Sequence, residues 1–331
     1  MSLDLSTRIG AVTLANPVLT ASGCGGTGRE LAQFTDLARL GAFITCSVML
    51  QPRAGRPTPR LAETPSGVLN AMGLPGPGVD AFLARDLPWL AEQDARVVVS
   101  VGGNTLGEFW EVARRLAESP QASAIAAVEV NVACPNAEDR GRMFAASPSA
   151  AAEVVRVVRG AIHRDTPVLT KLSPDVTDIA TIALACADAG TTGLSLINTM
   201  SGLAIDQNTL RPALTGVSGG LSGPALRPVA LRCVYQVHAA LPEMPIVGGG
   251  GVATGRDALE FVVAGACAVS VGTTLLHDPT APQRITRELE EALAAHGITR
   301  LADAVGLAHR ATAALPPQIV LGPQEPIKEL R

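Results

Sequence analysis

The stretch PIVGGGGVATGRDALEFVVAGACAVSVGT, residues 245–273, reads as strand, turn, helix, strand, turn. An apolar run at 245–247 is stopped by the four glycines 248–251. Thr254 then stands where a helix N-cap belongs, since its hydroxyl can accept an amide proton that the first turn leaves without a partner. Helical periodicity follows over 256–264, a second β-type run covers 268–271, and Gly272-Thr273 end it. A strand that passes through a helix into another strand is the repeating unit of a parallel sheet. Glycine after both strands leaves backbone N–H groups bare, which suits a phosphate held beside a helix N-terminus. The plainer alternative is that glycine only permits a tight turn.

The same alternation recurs upstream. β-type runs cover 17–21, 43–48, 97–101, 127–132, 168–172 and 194–198. Helical patterns cover 30–40, 106–118, 148–163, 178–189 and 225–241, and a last one covers 282–296. Within 148–163, Ala152, Val155, Val158 and Ile162 fall on one stripe, as a helix with one buried face requires. Asp178 is a second N-cap candidate. Eight strands separated by helices or long loops predict a (β/α)8 TIM barrel, here as one domain over 1–331. Ile9, Val12 and Leu14 alternate ahead of the first strand and predict an N-terminal hairpin capping the barrel floor. Two long insertions, 50–88 and 200–223, follow strands and therefore belong at the C-terminal mouth, where barrel chemistry sits. A doubly wound open sheet is the alternative; the lack of a GxGxxG after the first strand counts against it.

Composition narrows the function. The 331 residues are 47% hydrophobic and 17% charged, with a formal net charge of −4. No basic run is present, so no nucleic acid or anionic membrane partner is expected. No apolar stretch approaches the roughly 20 residues of a spanning helix, and no charged-then-apolar leader opens the chain. A soluble, cytoplasmic protein is expected. The cysteines Cys24, Cys46, Cys134, Cys186, Cys233 and Cys267 show no CxxC spacing and read as reduced thiols. Of 26 basic residues only Lys171 and Lys328 are lysine. Lys171 ends an apolar run, a place for a compact point charge or for a buried strand-end ion pair. Asparagine is also scarce, yet Asn70, Asn131, Asn136 and Asn198 all follow or end apolar runs. Turn chemistry explains any one of them well and all four less well.

Asn131-Val-Ala-Cys-Pro-Asn136 closes the fourth strand. With no second thiol and no nearby histidine, Cys134 reads either as a small buried hydrophobe or as a general base, since a thiol titrates near 8.5. Further segments stand in order: Thr20-Ala-Ser-Gly23, Pro57-Thr-Pro-Arg60, Ser66-Gly-Val-Leu-Asn-Ala-Met-Gly-Leu74, Lys171-Leu-Ser-Pro-Asp-Val-Thr-Asp178, Ile197-Asn-Thr199, Gly219-Gly-Leu-Ser-Gly-Pro224, Gly250-Gly251 and Val271-Gly-Thr273. Together these nine resemble the class 1 dihydroorotate dehydrogenases, most of all the class 1B catalytic subunit, from about residue 3 to residue 296.

The resemblance implies FMN and the oxidation of (S)-dihydroorotate to orotate in pyrimidine biosynthesis. It places the FMN phosphate on Gly223, Gly250, Gly251, Gly272 and Thr273. Ser22, Cys46, Ser47, Ser100, Asn131, Lys171 and Ile197 would line the flavin. Asn70, Met72, Gly73, Leu74, Asn131, Asn136, Asn198 and Thr199 would hold the pyrimidine. Cys134 would take the C5 proton, and Lys171 would oppose the charge that appears on the reduced flavin. The resemblance also implies a homodimer and a partner subunit carrying FAD and an iron–sulfur cluster, for which this chain has no cysteine spacing of its own. Three positions depart from the family: Cys46 replaces a lysine, and Ser100 and Gly76 replace asparagines. A lost charge-assisted hydrogen bond to a carboxylate is worth about 1.5–3 kcal/mol. Arg53 and Arg60 are candidate replacements for the cation. A related dihydropyrimidine or another conjugated carbonyl is the alternative substrate. A catalytically idle binding barrel is a third reading, against which Cys134 and Lys171 speak.

Overall fold

The computed structural model describes residues 3–134, 139 and 142–312. Its centre is a ring of eight parallel strands: β1 (Val18–Thr20), β2 (Phe43–Ile44), β3 (Val97–Val101), β4 (Ile125–Asn131), β5 (Val168–Leu172), β6 (Gly193–Leu196), β7 (Ile246–Gly249) and β8 (Ala268–Val271). They pair in the order β1-β8-β7-β6-β5-β4-β3-β2. A parallel bridge from Leu19 to Ala42 joins the first strand to the second and closes the barrel. Helices pack outside: α1 (Leu87–Glu92), α2 (Leu106–Glu118), α3 (Pro148–Ala161), α4 (Ile179–Asp188), α5 (Arg227–Ala240), α6 (Gly255–Val263) and α7 (Ala281–Ala295).

The local signals act as expected at several helix starts. Thr254 caps α6 in a reciprocal box with Asp257, and Asp178 accepts from Ala180 N and Thr181 N ahead of α4. The expected helix over 30–40 is absent. Two short 3-10 turns, Leu31–Gln33 and Leu37–Arg39, stand there. Asp36 takes an extended backbone and accepts from Ala38 N, so it caps a new turn where a helix would have to continue. Conversely, residues 79–92, from the end of the first insertion onward, are helical, with Val79, Phe82, Leu87 and Leu90 buried.

Strand alternation sorts the side chains. On β5, Val168 and Leu172 join the barrel-to-helix layer, whereas Leu169 joins Leu19, Ile44, Val98 and Val247 inside the barrel. The hairpin of Thr7–Ile9 and Val12–Leu14 inserts Ile9 and Leu14 into that same inner cluster and plugs the floor. One layer higher the buried inward positions turn polar: Ser100, Glu129, Lys171, Ser195 and Ser270. The mouth lies above them.

The two insertions meet over the mouth. Leu61–Thr64 and Gly67–Asn70 come from the first; Met200–Gly202 and Gly219–Ser222 come from the second. Together they form one four-stranded antiparallel sheet, with Gly220 opposite Asn70 at the seam. Among the described residues no helix is long and apolar enough to cross a membrane, and no group of His, Cys, Asp and Glu is placed to hold a metal ion.

Candidate active site

Beneath this roof is a cavity of about 560 Å³, within the roughly 300–1,000 Å³ typical of cofactor and ligand sites. One wall is bare backbone. Gly223, Gly250 and Gly251 hold φ of +96°, +130° and +83°, values that a side chain resists. A Cβ on Gly251 would lie 2.7 Å from the Gly223 carbonyl oxygen, so the turn after β7 and the start of the α5 region touch backbone to backbone. Gly272 and Thr273, after β8, face the same space. The cradle is braced from behind: Arg227 pairs with Asp257 and, at 3.2 Å, with Glu260, while Asp257 accepts from Ala253 N and Thr254 N. These bare N–H groups at helix starts fit a phosphate dianion.

The other wall is a ladder of amides and hydroxyls. Asn198 Nδ2 donates to Asn131 Oδ1 at 3.2 Å, and Asn131 Nδ2 donates to Ser47 Oγ at 3.2 Å. Ser47 Oγ meets Ser100 Oγ at 3.1 Å. Ser100 is fully buried behind Ser47 and is an anchor, not a wall residue. From the roof, Asn70 donates to Gly220 O at 3.2 Å. Met72, Gly73, Leu74, Ser22, Ile197 and Thr199 line the same cavity. Lys171, directly across the strand pair from Asn131, lines the cavity, and its Nζ lies 3.7 Å from Glu129. The two sequence readings of this lysine, cavity charge and buried ion pair, thus coexist.

Cys46 stands on the same wall, its thiol 3.4 Å from Gly26 O. Burial, the neighbouring Cys24 and Glu30 push it up to about 11, so it is a neutral thiol at ordinary pH. A second cavity of about 200 Å³ opens behind it, lined also by Gly76, Thr27 and Asp86. Two of the family departures, Cys46 and Gly76, therefore border one space. Neither Arg53 nor Arg60 lines the main cavity; Arg56 does. Arg53 is drawn into a two-way backbone pairing with Gly76, and Arg60 donates to Ala54 O and Arg56 O.

Cys134 is buried and does not line the cavity; Ala133 and Met143 do. A Cβ on Gly102 would lie 3.1 Å from its sulfur. Burial pushes the thiol up to about 11, against hydrogen bonding from the Gly103 backbone and the Arg53 charge. Asn136 lies outside the described residues. Among the charged wall and near-wall residues, Arg56, Asp175 and Glu129 escaped the sequence reading. Arg56 sits in a run with three arginines, and only loop geometry selects among them. Glu129 had a legible signal, a charged residue at an inward position of an otherwise apolar strand.

A parallel barrel with a roofed mouth, a glycine cradle and an amide wall around one ammonium defines an enzyme of the (β/α)8 class. The dihydroorotate dehydrogenase family model matches residues 4–293, and the chain belongs to that family, whose members are flavin-dependent oxidoreductases. Among curated proteins the chain is similar to "Dihydroorotate dehydrogenase B (NAD(+)), catalytic subunit" of Desulforudis audaxviator, 51% identical over 94% of this chain and 99% of that protein. The protein of the same name from Geobacter sp. (strain M21) is 49% identical over 92% and 97%, and that of Pelobacter propionicus 47% over 92% and 99%.

Proposed function

We propose that the chain oxidises (S)-dihydroorotate to orotate in pyrimidine biosynthesis, with FMN as its bound cofactor. One observation carries the reading: a single cavity joins a glycine cradle suited to phosphate, an amide wall suited to a pyrimidine, and one ammonium. FMN, when bound, supplies the hydride acceptor. Gly223, Gly250, Gly251, Gly272 and Thr273 hold its phosphate, and Ser22, Cys46, Ser47 and Ile197 line its ring. Ser100 acts through Ser47. Lys171 opposes the negative charge that arrives with the hydride, and it does so most strongly in the transition state and product.

Asn70, Asn131, Asn198 and Thr199 donate and accept around the pyrimidine, whose ring alternates C=O and N–H. Asn136 belongs to the same set by family assignment. Met72, Gly73 and Leu74 close the roof side. Arg56 is the candidate partner of the substrate carboxylate in place of the family lysine. By family assignment Cys134 takes the proton from C5, although its thiol lies behind the wall that Ala133 and Met143 form. The relatives are named catalytic subunits of an NAD(+) enzyme, which supports a partner subunit; to that the reading adds a homodimer and a partner carrying FAD and an iron–sulfur cluster that delivers electrons to NAD.

The test is direct. Protein loaded with FMN should be yellow, and anaerobic addition of dihydroorotate should bleach it with one orotate formed per flavin. Yellow protein that dihydroorotate leaves unbleached would overturn the substrate assignment. The neutral thiol of Cys46 favours a second reading, a related dihydropyrimidine lacking the carboxylate. Faster bleaching by 5,6-dihydrouracil than by dihydroorotate would establish it.

A further inference from the structure

Glu129 on β4 is fully buried, and neither of its carboxylate oxygens has a hydrogen-bond partner among the described residues. Lys171 is the one cation in ion-pair reach among those residues, at 3.7 Å, too long for a hydrogen bond of normal strength. Across the sheet the flanking residues are Ser100 and Leu169. Among the described residues, the ionisable groups that line the cavity with Lys171 are Cys24, Cys46, Arg56 and Asp175; Cys24 feels the Lys171 charge, and Cys46 feels Cys24. Lys171 reaches the cavity wall, whereas Glu129 lies wholly behind it.

We propose that Glu129 is a redox-linked proton acceptor, taking up one proton when the flavin beside Lys171 is reduced and returning it on reoxidation. The inference rests on the FMN reading. Before reduction, carboxylate and ammonium balance each other. The hydride then adds a negative charge on the cavity side of Lys171. One ammonium does not balance two anions in a low-dielectric interior. The solvent-remote carboxylate is the one left unpaired, and an unpaired buried carboxylate neutralises itself by protonation. The balance closes. Dihydroorotate, oxidised flavin and the Glu129 carboxylate give orotate, anionic reduced flavin and the Glu129 carboxylic acid. The C6 hydride goes to the flavin, and solvent passes one proton to Glu129 in exchange for the one lost from C5.

Reductive titration of the FMN-loaded protein with dithionite at several pH values tests this without any pyrimidine. Each proton taken up with two electrons changes the equilibrium tenfold per pH unit, about 29.6 mV. Wild type should take up two protons per two electrons and Glu129→Gln one. A one-proton slope in wild type overturns the proposal, whether or not the variant folds. A two-proton slope in Glu129→Gln also overturns it, because the second proton then goes elsewhere. If wild type shows two protons, the variant one, and dihydroorotate still fails to bleach the flavin, the substrate reading falls and this one stands. A protein that takes up no FMN ends both.

Discussion

Burial holds the Cys134 thiol up at about 11, so at neutral pH nearly all of it carries its proton. A base works in its deprotonated form, and the sign follows: flavin reduction should speed up as pH rises and should not level off below about pH 9. Cys134→Ala should keep FMN and bind orotate while reduction slows by roughly 10²–10⁴; stopped-flow reduction measures it, and near-wild-type rates would return Cys134 to a packing role. Cys46 makes the complementary case. A lysine there would add a cation to a wall that Lys171 and Arg56 already line, and one charge-assisted hydrogen bond is worth about 1.5–3 kcal/mol. Cys46→Lys should therefore tighten orotate binding by about tenfold or more, read by flavin difference titration. Unchanged affinity would mean that Arg56 already fills the carboxylate site. Residue types announced much of this site, because scarce residues stand out: Lys171 and three of the asparagines that follow or end apolar runs, Asn70, Asn131 and Asn198, converge on one cavity. Arg56 was not legible, since its separation from Arg53 and Arg60 is a matter of loop path alone.

The cradle shows what an element-level contact controls. Gly251 combines φ +83° with a space in which a Cβ would sit 2.7 Å from Gly223 O. Gly251→Ala must push the β7 turn away from the start of the α5 region and misaim the N–H groups. FMN retention should fall by more than tenfold while riboflavin, lacking the phosphate, should bind as in wild type; equal losses for both would place the damage elsewhere. Elements with strong local signals were legible: α6 has its Thr254–Asp257 box, and α3 has its buried stripe of Ala152, Val155 and Val158. Segment 30–40 misled because Leu31, Phe34, Leu37 and Leu40 recur every three residues, close to a helical period, although Phe34 is exposed and only the leucines are buried, while Asp36 competes for the backbone. The roof strands were illegible. They are three or four residues long in the insertions, and their register is set by a distant partner.

At the scale of the molecule, stability and chemistry occupy opposite ends. Leu14 is 1% exposed in the floor cluster, on the face away from the cavity. Leu14→Ala should cost about 2–5 kcal/mol, seen as a lower denaturation midpoint, while the rate of flavin reduction in the folded fraction stays as it was. A reduced rate with unchanged stability would contradict this division. The fold as a whole was legible because eight apolar runs repeat one unit. The closure of its mouth was not, because two insertions with little apolar patterning make it jointly.

That shared roof also has a place in time. Asn70 and Gly220 meet across 150 positions. At about 5–20 residues per second of synthesis, the hairpin of Leu61–Thr64 and Gly67–Asn70 waits roughly 8–30 s for the strand that covers its open edge. Six barrel strands leave the ribosome in that interval or before it, and none of them can supply the missing neighbour. A nascent chain halted before Gly219–Ser222 carries an unpaired strand edge over an open mouth, so slowed translation of this segment should reach the cell as aggregation sooner than as lost activity.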